Sequence, residues 1–89
     1  MTDLNNIVFV DIYPKLDLHG YDRESARVAV EDFIRDNIKM KNEIITIVHG
    51  NGSGVVKEAT HEVLKRNKNI IDYKTYYNNT GVTIVKLKT

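Results

Sequence analysis

Two short stretches of the sequence end an apolar run on a histidine followed by a glycine. The first is LDLHG, residues 16–20, and the second is IVHGNGSG, residues 47–54. In the first stretch Asp17 and His19 stand two residues apart, so on a strand their side chains share one face. A carboxylate beside an imidazole holds the tautomer of the ring and raises its basicity. The pair is therefore suited to position a water molecule or to accept a proton.

His49, in the second stretch, supplies another titratable ring. Two imidazoles can divide acid and base work in phosphodiester cleavage. For RNA, one draws the proton from the 2′-hydroxyl while the other protonates the departing oxygen. We take Asp17, His19 and His49 as candidate catalytic residues. The alternative is a pair of strand-end histidines that bond only to backbone and solvent, and spacing alone does not separate the two.

The glycine-rich loop HGNGSG lies between a predicted strand and a predicted helix. Converging N–H groups in such a loop, together with the positive end of the helix, make a cradle for an anion such as phosphate. Ser53 would add a hydroxyl, and Lys57 stands one turn inside the helix. The alternative is a tight turn without a ligand, which glycines also form. The candidate phosphate-binding residues are Gly50, Asn51, Gly52, Ser53, Gly54 and Lys57.

Other site chemistries fit the sequence less well. The Gly-Lys-Ser/Thr of a Walker loop is absent, and Val55 stands where a dinucleotide fingerprint has glycine. Asp17, His19 and His49 could ligate a divalent cation such as Mg²⁺ or Mn²⁺, which is an open alternative. The sequence shows no HExxH pair and no acidic cluster of the two-metal kind, so we assign no metal site.

His61 and three tyrosines complete the candidates. His61 falls off the apolar stripe of the second predicted helix, which predicts a surface histidine. Tyr73, Tyr76 and Tyr77 lie on a predicted hairpin, where they could stack on bases. Packing in the core and at its rim is the more common role of strand tyrosines.

Hydrophobic patterning predicts the elements that position these residues. Alternation marks strand KLDLH, and the unbroken β-branched run IITIV is typical of a central strand covered on both faces. An apolar stripe from Ala26 to Ile38 predicts an amphipathic helix, with Asp22 as its N-cap. NNTG joins the last two strands as a hairpin. The predicted elements are strands 15–19, 44–48, 70–77 and 82–88, and helices 23–40 and 54–66.

This β-α-β-α-β-β order predicts the α/β class, as an α+β two-layer sandwich with a mixed sheet. A strand–helix–strand crossover makes its strands parallel, so strands 15–19 and 44–48 should end at one sheet edge, where ligands bind in open α/β sheets. We therefore expect both His-Gly pairs to form one site. IVFVDIY, before Pro14, predicts a strand or extended arm. We divide the chain into an arm, residues 1–14, and a domain, residues 15–89.

Composition bounds the protein further. Eighty-nine residues make one domain, and the absence of cysteine excludes disulfides and fits a cytoplasmic location. No apolar run reaches the roughly 20 residues of a membrane helix, and the polar start does not resemble a signal peptide. Residues 1–44 carry a net charge of −3 and residues 45–89 a net charge of +4. This asymmetry hints at an anionic partner for the second half, with ordinary surface scatter as the alternative.

The two motifs in this order, with the helix between them and the hairpin after them, resemble the Smr (small MutS-related) domain over residues 16–88. The resemblance implies a sandwich similar to the C-terminal domain of bacterial translation initiation factor three. It also implies nucleic-acid binding and, in many members, endonuclease activity on DNA or RNA. Members with Asp-Leu-His on the first strand, here residues 17–19, are the usual nuclease candidates.

One segment departs from the family pattern. A Gly-Gly-x-Gly-x-Thr stretch is common before the last strand, whereas this chain has NNTGVT. It keeps Gly81 and Thr83 and places Asn78 and Asn79 where glycines are common. Asparagine tolerates the left-handed region, which would preserve the turn. The backbone there would approach a ligand less closely.

Three functions remain open from the sequence. The first is an endonuclease that cleaves RNA or DNA, with RNA slightly preferred. The second is a non-catalytic module that binds nucleic acid or the ribosome. The third is a protein-interaction domain that uses its N-terminal arm to extend the sheet of a partner.

Overall fold

The computed structural model describes Leu4 and residues 12–52 and 54–89. Its elements match the predicted order and differ from the predicted bounds by at most two residues at each end. No helix in this described part is long and apolar enough to span a membrane. The elements are β1 Lys15–Asp17, α1 Arg23–Lys39, β2 Ile44–Val48, α2 Val55–Arg66, β3 Ile70–Thr75 and β4 Val82–Leu87.

One four-stranded mixed sheet carries both helices. Its strand order is β1-β2-β4-β3, in which β1 and β2 are parallel and the other two pairs are antiparallel. The α+β sandwich and the hairpin are therefore confirmed. The strands that precede and follow α1 are immediate neighbours, with Asp17 opposite Val48. Their carboxyl ends thus lie side by side at one sheet edge.

The core has two parts, one on each face of the sheet. On the helix face, Ile45 and Ile47 of β2 pack with buried residues of both helices and of β4. On the other face, Ile44 packs with Tyr76 and with Leu4, the one residue described in the first eleven. β2 is therefore covered on both faces, as its unbroken β-branched run predicts.

The two helices begin differently, and the difference bears on the site. Asp22 caps α1: its carboxylate accepts from the Ser25 N–H at 2.8 Å, and the Ser25 hydroxyl oxygen accepts from the Asp22 N–H at 3.2 Å. α2 begins after Gly54, which has a φ of 87° and no side-chain oxygen to offer. Among the described residues, α2 therefore starts without the side-chain cap that α1 has.

The predicted arm lies mostly outside the described residues. Residues 12–14 form no strand, and the prediction for residues 1–11 is not tested apart from the burial of Leu4. The domain division at residues 14 and 15 stays a prediction, as does the idea that the arm pairs with a partner.

Candidate nucleic-acid site

The first motif ends β1 in a tight turn. The Tyr21 N–H donates to the Leu18 carbonyl at 3.0 Å, and Gly20 has a φ of 82°, which favours glycine. Leu18 is 1% exposed and anchors the turn in the core under the helices. Asp17 and His19, on either side of it, are exposed. The core thus fixes the backbone of the motif while leaving its polar side chains at the surface.

The Asp17 carboxylate bonds to backbone rather than to the imidazole. Its Oδ1 accepts from the His19 N–H at 2.9 Å. Within the described residues, no hydrogen bond or ring contact involves the imidazole of His19. Asp17 therefore orients the turn that carries His19, and the ring keeps both nitrogens for solvent or a ligand. The expected carboxylate–imidazole contact is not seen in this state.

His49 lies in the opposite environment. It is 8% exposed and its two ring nitrogens have partners: Nδ1 lies 3.0 Å from the Gly50 carbonyl, and Nε2 lies 2.7 Å from the Thr83 hydroxyl. Burial lowers the pKa of His49, the charge of Lys57 adds to that, and the Gly50 carbonyl opposes it. Burial therefore favours the neutral form of His49.

The structure places the ends of β1 and β2 side by side, with the side chains of Asp17 and His49 on opposite faces of the sheet. Asp17 pairs with Val48, which packs on the face away from the helices. His49, the next residue after Val48, turns its ring to the helix face, where it meets α2. No described contact joins His49 to His19. A ligand would have to lie across the sheet edge to reach both motifs.

The glycine loop is tied to the hairpin that follows β3. The amides of His49 and Gly50 both donate to the Gly81 carbonyl, at 2.9 and 3.0 Å. The Thr80 hydroxyl donates to Asn51 Oδ1 at 2.9 Å. The segment between β3 and β4 therefore forms one wall of the candidate phosphate site, and its close approach explains why Gly81 is glycine.

The asparagines in this wall act differently from the expectation. Among described non-glycine residues only Lys41 has a positive φ, so neither Asn78 nor Asn79 adopts the left-handed conformation. Instead Asn79 Oδ1 accepts from the Gly81 N–H at 2.9 Å. The side chain of Asn79 thereby holds the turn.

The other loop residues lie around an open space. Gly50 has a φ of 76°, and a Cβ added at Gly50, Gly52 or Gly54 would meet no atom within 4 Å. Lys57 and Gly54 line a groove with His61 and other residues of α2. The phosphate-binding prediction for Ser53 lies outside the described residues. The loop thus leaves room for a ligand beside a lysine.

His61 corrects the sequence analysis. It is half-buried rather than a surface histidine: its Nε2 lies 3.0 Å from the Thr83 hydroxyl, and its ring centroid lies 5.8 Å from that of His49 and 5.3 Å from that of Tyr73. Burial lowers its pKa, and the charges of His49, Lys57 and Lys65 lower it further. The one sequence signal was Thr83, a hydroxyl in a buried strand that had to find partners.

The tyrosines divide as packing predicts, with one exception. Tyr73 packs on the helix-face core and Tyr76 is buried on the other face. Tyr77 is 70% exposed, so it alone of the three presents most of its ring to solvent.

The structure adds no support for the metal alternative. Among the described residues, no three histidine or carboxylate side chains are grouped so that they could hold an ion.

Comparison with known proteins agrees with this fold. The Smr domain family model matches residues 16–88. The chain therefore belongs to the Smr domain family. Among solved structures it is similar to the Smr domain of Thermus thermophilus MutS2, with a TM-score of 0.82 and 24% identity over 85% of this chain and 99% of that one. It is also similar to YdaL, a stand-alone small MutS-related protein from Escherichia coli, with a TM-score of 0.81 and 22% identity over 86% of this chain and 68% of that one.

Curated relatives carry the same domain in much longer chains. Endonuclease MutS2 of Clostridioides difficile is 35% identical over 77 residues, which are 83% of this chain and 10% of the relative. Endonuclease MutS2 of Staphylococcus saprophyticus is 32% identical over 77 residues, with the same coverage. The chain thus spans about a tenth of the length of these relatives.

Proposed function

We propose that this protein binds nucleic acid at the edge where β1 and β2 end, and that it cleaves phosphodiester bonds there. The observation that carries the proposal is the adjacency of two motifs: the exposed Asp17–His19 turn follows β1, and the glycine loop with the start of α2 follows the neighbouring β2. Membership of the Smr family and the names of the MutS2 relatives support the same activity.

The proposed roles follow from exposure. His19 is the accessible imidazole, so it is the group that exchanges a proton with the reacting oxygen. Asp17 fixes the turn that carries it. The loop from Gly50 to Gly54, with Asn51, Gly52 and Ser53 in it, and Lys57 hold the scissile or an adjacent phosphate. Proton transfer by His49 stays a prediction, since both of its ring nitrogens already have partners.

Cleavage is tested with labelled structured RNA and with supercoiled plasmid DNA, each with Mg²⁺ or Mn²⁺ and with a chelator. We expect His19→Ala to lower the cleavage rate about 10²-fold or more, the usual scale for a lost acid or base. Asp17→Ala should also lower the rate, because it removes the acceptor that fixes the turn carrying His19. Asp72→Ala is the matched control, because Asp72 is also exposed on a strand and its Oδ1 also accepts a backbone N–H at 2.9 Å. Equal cleavage by the wild type and His19→Ala would contradict the mechanism.

Phosphate contact is tested separately by binding. Removing one phosphate contact should weaken affinity for all sequences alike and lower the slope of log K against log salt by about 1. We expect this of Lys57→Ala. Lys68→Ala is the control, since Lys68 is exposed past the far end of α2, roughly 16 Å along the helix axis. Equal salt slopes for the two variants would contradict a phosphate contact at Lys57.

A non-catalytic module that binds nucleic acid or the ribosome is the second candidate. It is favoured by the engaged nitrogens of His49 and by the Asp17 bond to backbone rather than to the His19 ring. This candidate predicts that affinity for nucleic acid depends on salt. It also predicts that no cleavage occurs with or without a divalent cation. The cytoplasmic location expected from the lack of cysteine stays a prediction.

A further inference from the structure

The hydroxyl of Thr83 lies between two imidazoles beneath α2. Thr83 is fully buried on β4, and its Oγ1 is 2.7 Å from His49 Nε2 and 3.0 Å from His61 Nε2. These three side chains come from β2, β4 and α2. They form a polar chain that the roles proposed above leave unused.

The direction of every hydrogen bond in this chain follows from one carbonyl. The Gly50 carbonyl can only accept, so the hydrogen of a neutral His49 must be on Nδ1. His49 Nε2 is then a bare acceptor, and the Thr83 hydroxyl must donate to it. The hydroxyl oxygen in turn accepts from His61, whose hydrogen must be on Nε2. The chain therefore runs from His61 through Thr83 and His49 to the Gly50 carbonyl.

We propose that Thr83 and His61 are positioning residues that engage Nε2 of His49 and hold its ring where the Nδ1–H anchors the first peptide of the glycine loop. Thr83 donates to His49, and His61 orients the hydroxyl by donating to its oxygen. The Nδ1–H of His49 donates to the Gly50 carbonyl, while the amides of His49 and Gly50 donate to the Gly81 carbonyl. The loop is thus fixed on its carbonyl side and on its amide side.

The consequence for the ligand rests on the function proposed above. A phosphate cradle works only if its amides already point at the anion, since ordering them on binding costs affinity. The hydrogen-bonded side chains of His61, Thr83 and His49 order these amides from beneath α2, without themselves contacting the phosphate. Thr83 and His61 should therefore affect nucleic-acid binding through loop order.

The tautomers are measured directly by NMR on protein with ¹⁵N-labelled histidine and no nucleic acid present. Two-bond couplings between ring nitrogens and ring protons show which nitrogen carries hydrogen. We expect Nδ1–H for His49 and Nε2–H for His61. Finding His49 as Nε2–H in the wild type would overturn the proposal, whatever the variants do. The exposed His19 ring, in the same spectra, is the internal control.

Variants then separate positioning from packing. Thr83→Val should shift the ¹⁵N resonance of His49 Nε2, because that nitrogen loses its donor, and speed amide exchange at His49 and Gly50 about tenfold, the scale of one lost hydrogen bond. Thr83→Ser keeps the hydroxyl and should restore both readouts. Thr60→Val removes another fully buried hydroxyl, which donates to the Val56 carbonyl inside α2, and should change neither.

Two results overturn the inference at this stage: an unchanged resonance of His49 Nε2 in Thr83→Val, or a Thr83→Ser variant that behaves like Thr83→Val. Both are obtained without a substrate, so they are independent of cleavage. If the NMR results are as expected and no nucleic acid binds, the positioning chain stands and the proposed function fails.

Discussion

Replacing Gly81 with alanine tests the contact that joins the hairpin to the glycine loop. An added Cβ would lie 3.1 Å from Gly50 Cα and 3.3 Å from the Gly50 carbonyl carbon. Carbon atoms in contact normally lie about 3.5–4.0 Å apart. Both near atoms are backbone, so neither can turn aside as a flexible side chain would.

The expected cost follows from what must move. Separating the two backbones stretches the bonds from the amides of His49 and Gly50 to the Gly81 carbonyl. Overpacking of this kind costs about 1–3 kcal/mol in the free energy of unfolding. For a domain of this size, that is a fall in Tm of about 4–8 °C for each kcal/mol.

Gly52→Ala is the matched control. A Cβ at Gly52 meets no atom within 4 Å, and its φ is not in the left-handed region. Alanine there restricts the unfolded chain and should leave stability unchanged or raise it by up to about 1 kcal/mol. Urea unfolding followed by far-ultraviolet circular dichroism, with m-values compared, measures both variants. If Gly81→Ala were as stable as Gly52→Ala, the close approach of Gly81 to Gly50 would be refuted.

Three further predictions concern stability. Thr83→Val should cost about 1–3 kcal/mol in urea unfolding because it leaves the buried His49 Nε2 without a partner, whereas Thr60→Val should cost clearly less; equal losses would contradict this. Burial lowers the pKa of His49 and His61, so the unfolded state binds protons first and stability should fall as pH drops below about 6.5; a His49→Gln, His61→Gln double variant should flatten this fall, and a parallel curve would argue against it. Leu18→Ala should cost about 2–5 kcal/mol by calorimetry or urea unfolding, since Leu18 is 1% exposed; a loss below about 1 kcal/mol would contradict the anchoring of the first motif.

The elements and their order were predictable because local patterns specify them. Each residue of IITIV is β-branched, which suits a strand covered on both faces, and Asp22 directly precedes the first residue of α1, where a side chain can cap a helix. The parallel direction of β1 and β2 follows from the one crossover between them, whereas their direct pairing is a finding of the structure. The insertion of β4 between β2 and β3 has no such local signal. A hairpin fixes which strands pair with each other and leaves open which of the two joins the sheet.

The site was predictable only in part, for the same reason. Both His-Gly pairs lie at one edge, because parallel strands end together. Which face each side chain takes depends on where a strand stops alternating, and β1 ends at Asp17, two residues before His19. The contact of His61 with Thr83 joins residues of α2 and β4 across the interior, and the sequence marks neither as a partner of the other. The stripe of α2 excluded His61 and so predicted a surface residue, because helical periodicity does not register a polar partner on another strand.

The two histidines at the sheet edge differ in the one property that general acid–base catalysis requires, which is access to the reacting proton. His19 is exposed on a turn fixed by Leu18 and Asp17, so a substrate can reach its ring without any change in the fold. His49 would have to break its bond to Thr83 or to the Gly50 carbonyl first, and the second break would release the loop that is proposed to hold the phosphate. A role for His49 in fixing that loop therefore requires no rearrangement, whereas direct proton transfer by His49 would weaken the phosphate cradle at the moment of reaction.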